Sequence, residues 1–238
     1  MVAWSEATRR VERWLLPAEC SVCRAPIADP AEPLACEVCR SRWRSIPRPE
    51  CATCGEHLPL GLACRVCADW PPDFGPVRSA VVLDAAVRSL VHRFKYQGWW
   101  RFAQVFAVRM APLLREVGDV DLVPIPLNSR RQSVRGYNQA EQLAIALGAI
   151  SGHPVRPERL RRVRDTPTQT RLTPERRRAN LAAAFGSPEC HRPVILVDDV
   201  FTTGATLCSA ATELLEQGAE RVGAVTFARA ELPLSARR

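Results

Sequence analysis

Eight cysteines between positions 20 and 67 fall into four pairs, each with two residues inside it: Cys20/Cys23, Cys36/Cys39, Cys51/Cys54 and Cys64/Cys67. That gap lets both thiolates of one turn face one ion, and two such turns complete the tetrahedral sulfur set that zinc prefers. Two structural zinc sites are therefore expected. Four repeats of one spacing, without a secretory context, argue against a disulfide framework. Intervals of 12 and 9 residues within successive sets suit ribbon-like knuckles around a structural ion, although sulfur ligands alone also permit iron. Sequential pairing, with Cys20 to Cys39 around one ion and Cys51 to Cys67 around the other, needs the shortest loops. A crossed arrangement, first pair with third and second with fourth, stays open. His57 is a spare ligand candidate, and a segment this small draws its folding energy from the metal.

A second constellation lies near the other end of the chain. An apolar run, Pro193 to Val197, leads into Asp198-Asp199, and Val200-Phe201 is followed by Thr202-Thr203-Gly204-Ala205-Thr206. Backbone N–H groups and the Thr202, Thr203 and Thr206 hydroxyls of such a turn can surround a phosphate monoester at the positive end of a helix. Gly204 permits close approach of backbone to oxygen. Asp198 and Asp199 suit the two hydroxyls of a ribose, or a magnesium ion bridging them. The segment matches neither G-x-x-x-x-G-K-[ST] nor G-x-G-x-x-G, which disfavours a P-loop nucleotidase or a dinucleotide fold.

The elements that must hold these residues are strands alternating with helices. Strands are expected at Val77 to Leu83, Val120 to Val123, Pro193 to Val197 and Val222 to Ala228. Helices are expected at Ala85 to Tyr96, Arg101 to Val117 with a kink at Pro112, Asn138 to Leu147 and Thr206 to Gln217. This alternation predicts an α/β fold with a parallel sheet covered by helices on both faces, its ligand outside the carboxyl ends of the strands. Three prolines and a glycine in Trp70 to Pro76 read as a rigid linker, so a zinc-ribbon domain is expected over 1–72 and the sheet domain over 73–238.

The 238 residues carry a formal charge of +8, and Lys95 is the only lysine beside 32 arginines. Two zinc–tetrathiolate sites would lower that charge to about +4, so net charge alone makes a weak case for nucleic acid. There is no run of 18 apolar residues, and Met1 to Arg10 is charged. That pattern argues against a spanning helix or a signal peptide and makes a cytoplasmic location, without membrane insertion, the default expectation.

The stretch from Val194 to Thr206 closely resembles the phosphoribosyl pyrophosphate (PRPP) signature of type I phosphoribosyltransferases. With the cysteine pairs, the chain as a whole resembles the ComF/GntX family, in which a zinc ribbon precedes a phosphoribosyltransferase domain. Further matching pieces are Phe94-Lys95-Tyr96-Gln97-Gly98, Val123 to Pro126, Arg130 to Ala140, and Thr168 to Leu172 with Arg176, Arg177 and Asn180.

The resemblance implies a ribose and 5-phosphate site at Asp198, Asp199, Thr202, Thr203, Gly204, Ala205 and Thr206, with magnesium accompanying PRPP. It also implies a diphosphate-facing turn near Ile125 to Arg131, to which Arg130, Arg131 and Arg135 bring bidentate donors. Residues about 161 to 173 would close over the site, with Asp198, Asp199, Arg130 and Arg131 as the catalytic set for an unidentified acceptor. Cys190 and Cys208 need no catalytic role. The family's association with natural competence and DNA uptake implies a second reading: a non-catalytic, PRPP-responsive factor that binds single-stranded DNA. Arg156 to Arg178, with nine arginines, would be its basic stripe. A third reading is docking to a competence helicase, a membrane channel or other uptake machinery. Trp43 with Arg42 and Arg44, and the pair Trp99/Trp100, could stack bases, and core or interface packing competes with that use.

Overall fold

The structure, a computed structural model, describes residues 19–27, 34–58, 63–163 and 184–231, with the side chains of 129–131 excepted. The chain forms two compact units, Met1–Arg44 and Ser45–Arg238. The second cysteine tetrad therefore belongs to the unit that carries the sheet. The division expected at 72/73 is one of composition; the one at 44/45 is one of packing.

In the first unit the Cys20 N–H donates to the Ala25 carbonyl and the Arg24 N–H to the Cys20 carbonyl, and Arg24 takes a left-handed φ of 64°. The second unit opens with the same knuckle. The Cys51 N–H donates to the Glu56 carbonyl, the Gly55 N–H to the Cys51 carbonyl, and Gly55 has φ 70°. The repeated turn is what brings each pair of thiols to one side. In the first unit the next pair, Cys36 and Cys39, is mounted on a short helix, α1 (Glu37–Ser41).

The sheet of the second unit consists of β1 (Phe74–Val82), β2 (Asp121–Pro124), β5 (Val194–Phe201) and β6 (Val222–Arg229). Their spatial order is β1-β6-β5-β2, and all three pairings are parallel. Parallel strands covered on both faces read as continuous apolar runs, and β6 is buried at all eight positions. The helices are α2 (Ala85–Tyr96), α3 (Phe102–Met110), α4 (Ser129–Arg135), α5 (Gln139–Ser151) and α6 (Ala205–Glu216). A small antiparallel pair, β3 (Arg161–Arg162) with β4 (Phe185–Gly186), stands apart from the main sheet.

Helices cover both faces. Val222 and Ala224 of β6 share a core with Leu207, Ala210, Ala211 and Leu214 of α6. Phe227 points the other way by strand alternation, and its ring stacks on Phe106 of α3 at 3.7 Å between centroids. Asp84 caps α2 by accepting from the Val87 N–H, and Asn138 caps α5 by accepting from the Ala140 N–H.

Three expectations change. The helix expected to kink at Pro112 ends at Met110, and a 3₁₀ turn, Ala111–Leu114, follows because proline has no N–H to continue the ladder. Strand β5 runs on to Phe201 rather than stopping at Val197, so both aspartates lie within it. Helix α4 and the β3–β4 pair carry no long apolar period and were not expected. None of the helices among the described residues is long and apolar enough to cross a membrane.

Phe227 is fully buried in the stack with Phe106. Phe227→Ala is expected to cost about 3–5 kcal/mol of unfolding free energy, measured by chemical denaturation of the metal-loaded chain.

Candidate functional site

The two adjacent aspartates of β5 do not do the same thing. Strand alternation turns Asp198 toward the face of its register partner Thr226, which hydrogen-bonds Ser79 across the sheet at 2.7 Å. Asp199 turns toward the α2 face, where the Lys95 ammonium meets its carboxylate at 2.9 Å. The Asp199 side chain is buried, and Lys95 arrives from the last turn of α2, placed there by the short β1–α2 connection. The single lysine of the chain is thus the counter-ion of the acidic pair. Burial works against the Lys95 charge, but the Asp199 carboxylate outweighs it and holds the ammonium above its ordinary value. The sequence motif Phe94 to Gly98 contains this residue, and its rarity was the available signal. No functional role had been expected for it.

A second cation faces the same end of the sheet. Arg135, at the end of α4, donates to the Tyr96 hydroxyl at 2.9 Å and to Gln139 Oε1 at 2.7 Å, and its guanidinium lies 4.6 Å from the centroid of the Tyr96 ring. Tyr137 donates to the Phe94 carbonyl, tying the start of α5 to the end of α2. Loss of water around Asp198, followed by the charge of Asp199, pushes its carboxyl up to about 7, against the opposing pull of Lys95 and Arg135.

Beyond the aspartates the chain turns sharply. Thr202 and Thr203 are exposed, Gly204 is buried with φ 77°, and α6 begins at Ala205 with no side chain capping its N-terminus. Glycine is required at 204 twice over: by that φ, and because a Cβ there would stand 2.6 Å from Trp70 and 2.9 Å from Phe201. Uncapped N–H groups, two exposed hydroxyls and half-buried Thr206 at the start of a twelve-residue helix form a cradle for an anion.

The structure thus gathers Asp198, Asp199, Thr202, Thr203, Gly204, Ala205, Thr206 and Arg135 at one end of the sheet. Arg130 and Arg131 belong to α4, with side chains outside the described residues. The closing loop lies outside them from residue 164, as do Thr168 to Leu172, Arg176, Arg177, Asn180 and most of the basic stripe.

The cysteines assemble sequentially. In the set Cys20, Cys23, Cys36 and Cys39, and in the set Cys51, Cys54, Cys64 and Cys67, the four sulfurs lie within 4.8 Å of one another. This excludes the crossed pairing. The thiols also conflict electrostatically in a way a dication resolves. Burial, joined by the neighbouring sulfurs, pushes Cys67 up to about 12. In Cys51 burial pushes the same way but is overcome by backbone hydrogen bonds from Cys54 and Thr53, which bring the thiol down to about 7. Four thiolates around Zn²⁺ remove that competition, so the donor sets fit the ion. His57 is not a ligand; its Nδ1 lies 3.1 Å from the carbonyls of Pro47 and Pro49. Trp43 is buried, Trp99 stacks on Phe102 at 5.5 Å, and Trp100 is exposed. Cys190 is buried, and Cys208 packs against the core.

Two measurements test this electrostatic balance. Lys95→Met strands the buried Asp199 carboxylate and is expected to cost about 3 kcal/mol by urea denaturation, most of it recovered in Lys95→Met/Asp199→Asn. The raised Asp198 carboxyl, which feels the charges of Asp199, Lys95 and Arg135, binds its proton more tightly folded than unfolded. Its contribution to stability is present below the unfolded value and lost as pH rises toward about 7. Asp198→Asn is therefore expected to raise the melting temperature of the ligand-free chain more at pH near 7.5 than near 5.5, read by calorimetric scans.

Comparison with known proteins agrees with this geometry. The profile of the double zinc ribbon domain matches residues 11–68, and that of the phosphoribosyl transferase domain matches residues 101–233. Competence protein ComFC of Bacillus subtilis is 31% identical, over 82% of this chain and 83% of its own. DNA utilization protein YhgH of Salmonella typhi is 32% identical, over 87% and 95%, and competence protein F of Haemophilus influenzae is 30% identical, over 82% and 90%. With both domain models matched in order and relatives about 30% identical over more than four fifths of the chain, the chain belongs to the ComF family of double zinc ribbon, phosphoribosyl transferase domain proteins.

Proposed function

We propose that the chain binds PRPP with magnesium at the carboxyl end of its sheet and acts in competence or DNA utilization, the terms in which its relatives are named. The observation that carries the ligand assignment is the uncapped, threonine-rich turn at 202–206, set directly after Asp198 and Asp199. The 5-phosphate sits in the cradle of N–H groups and the hydroxyls of Thr202, Thr203 and Thr206. Asp198, the more open of the two acids, accepts from the ribose hydroxyls. Asp199 stays paired with Lys95, and the Arg135 N–H groups left over from Gln139 and Tyr96 donate to the diphosphate, joined by Arg130 and Arg131.

Magnesium belongs to the substrate complex and supplies charge neutralisation on the diphosphate. If transfer occurs, the bond between C1 of the ribose and the diphosphate oxygen breaks, an acceptor forms the new bond to C1, and the diphosphate departs with the electron pair. The chain's own part is to hold the ribose, to place cations by the leaving group and to exclude water. No covalent nucleophile is required, which agrees with the packed setting of Cys208 and Cys190.

The test is calorimetric titration of magnesium and PRPP into the zinc-loaded chain. Saturable heat is expected in the wild type and none in Asp198→Asn/Asp199→Asn. No heat in a wild type shown to be folded overturns the ligand assignment and leaves single-stranded DNA or a protein partner as the object of the fold.

A further inference from the structure

Arg229, the last residue of β6, is almost completely buried and makes four contacts that no ordinary strand end needs. Its Nε donates to Glu56 at 3.0 Å, its Nη1 to the Cys54 carbonyl at 2.8 Å, and its Nη2 lies 3.9 Å from the Cys54 sulfur. Its guanidinium carbon also lies 3.8 Å from the centroid of the Phe201 ring. Phe201 is the register partner of Arg229 across the sheet and the residue immediately before the Thr202–Thr203 turn. One side chain therefore touches a ligand of the second tetrad and the root of the anion cradle.

A second line runs in parallel. Trp70, three residues beyond Cys67, hydrogen-bonds back to the Cys67 carbonyl through its N–H. Its ring packs on Phe74 at 4.6 Å and on Phe201 at 6.2 Å, and it fills the space in which a side chain at 204 would stand. The left-handed Gly204 that opens α6 is walled by Trp70 and Phe201 together.

We infer that the metal in the second tetrad, Cys51 to Cys67, sets the shape of the phosphate-binding turn, with Arg229 and Trp70 as positioning residues between the two. Without the ion, the four thiols have no common centre, and the knuckle that holds Glu56, the Cys54 carbonyl and the Cys67 turn loses its fixed geometry. Arg229 then loses its partners and Trp70 its anchor, and the wall behind Gly204 moves. The dependence is reciprocal: a ligand held in the turn makes the second metal harder to remove. The inference rests on the proposed ligand only for this reciprocal arm, because the shape of the turn can be read without ligand.

Hydrogen exchange on the zinc-loaded full chain gives that reading. Glu56→Gln/Arg229→Met removes the bridge without leaving a lone buried charge, and Trp70→Leu removes the wall while keeping an apolar side chain. In each, peptides covering 199–206 are expected to exchange at least tenfold faster than in the wild type, while those of α5 keep their rates. Unchanged exchange over 199–206 in both variants overturns the inference. So does a general loss of protection that includes α5 in both, because the device is local. For the reciprocal arm, chelator-driven zinc release from the wild type is followed with and without magnesium and PRPP, and one of the two zinc ions is expected to leave several-fold more slowly with ligand. Release rates that do not change in a wild type shown by calorimetry to be saturated count against the coupling and leave the ligand assignment standing. A wild type that takes up no PRPP defeats the ligand assignment, and the exchange result then decides the inference alone.

Discussion

Everything at the carboxyl end of the sheet depends on how two adjacent carboxylates are tolerated at the end of a central strand. Strand β5 pairs with both β2 and β6 as far as Val197 and with β6 alone from Asp198 to Phe201, and that continued ladder fixes the backbone that carries both acids. Alternation separates the two side chains, and each face solves its own problem. On one face Asp199 is neutralised by Lys95. On the other, Asp198 carries an acidity shifted to about 7 by burial and by its neighbour, and it is the acid whose charge remains to be matched. An acid in that condition can serve as a binding group, since a partner that donates hydrogen bonds to it recovers part of what desolvation cost.

The choice of lysine at 95 follows from the same constraint. In a chain whose other 32 bases are arginine, a rigid planar fork is evidently acceptable almost everywhere. At the end of α2 the cation meets one buried carboxylate, and a compact ammonium on a flexible stem does this where a fork would demand a second acceptor. Arg135 shows the contrast: its fork has two acceptors, Tyr96 and Gln139, and an aromatic face to lie on.

Much of this was legible in the sequence because it is local. The two-residue cysteine gaps, the apolar run ending in Asp198-Asp199 and the Thr202 to Thr206 turn each specify geometry within a few residues, and the structure assembles them as spacing and period require. What could not be read is what joins positions remote in the chain. Arg229 and Glu56 are separated by 173 positions, and neither residue type announces a buried partner. Trp70 sits in a proline-rich stretch that reads as a linker, yet it packs against the core of the sheet. Lys95 was visible as a singular residue, but only the fold carries it to Asp199. The extension of β5 to Phe201 was hidden for a related reason: two acids within a strand contradict its apolar pattern, and only the continued pairing with β6 overrides that local preference.

Charge balance also constrains what can occupy the site. The charges that act on Asp198 are those of Asp199, Lys95 and Arg135, so with Asp198 ionised these four groups have no net charge to give. A phosphate monoester alone can be met by the uncapped N-terminus of α6, whose partial positive charge falls off within a turn. A ligand with a further diphosphate exceeds what that terminus and Arg135 can neutralise, and so it must bring a divalent cation or draw on additional arginines such as Arg130 and Arg131. Either route makes affinity depend on groups that arrive with or after the ligand. Under the proposed assignment, the part of the site anchored by strand β5 and helix α6 would meet the sugar and its monoester, and the leaving-group side would be completed by the charges that come with the ligand.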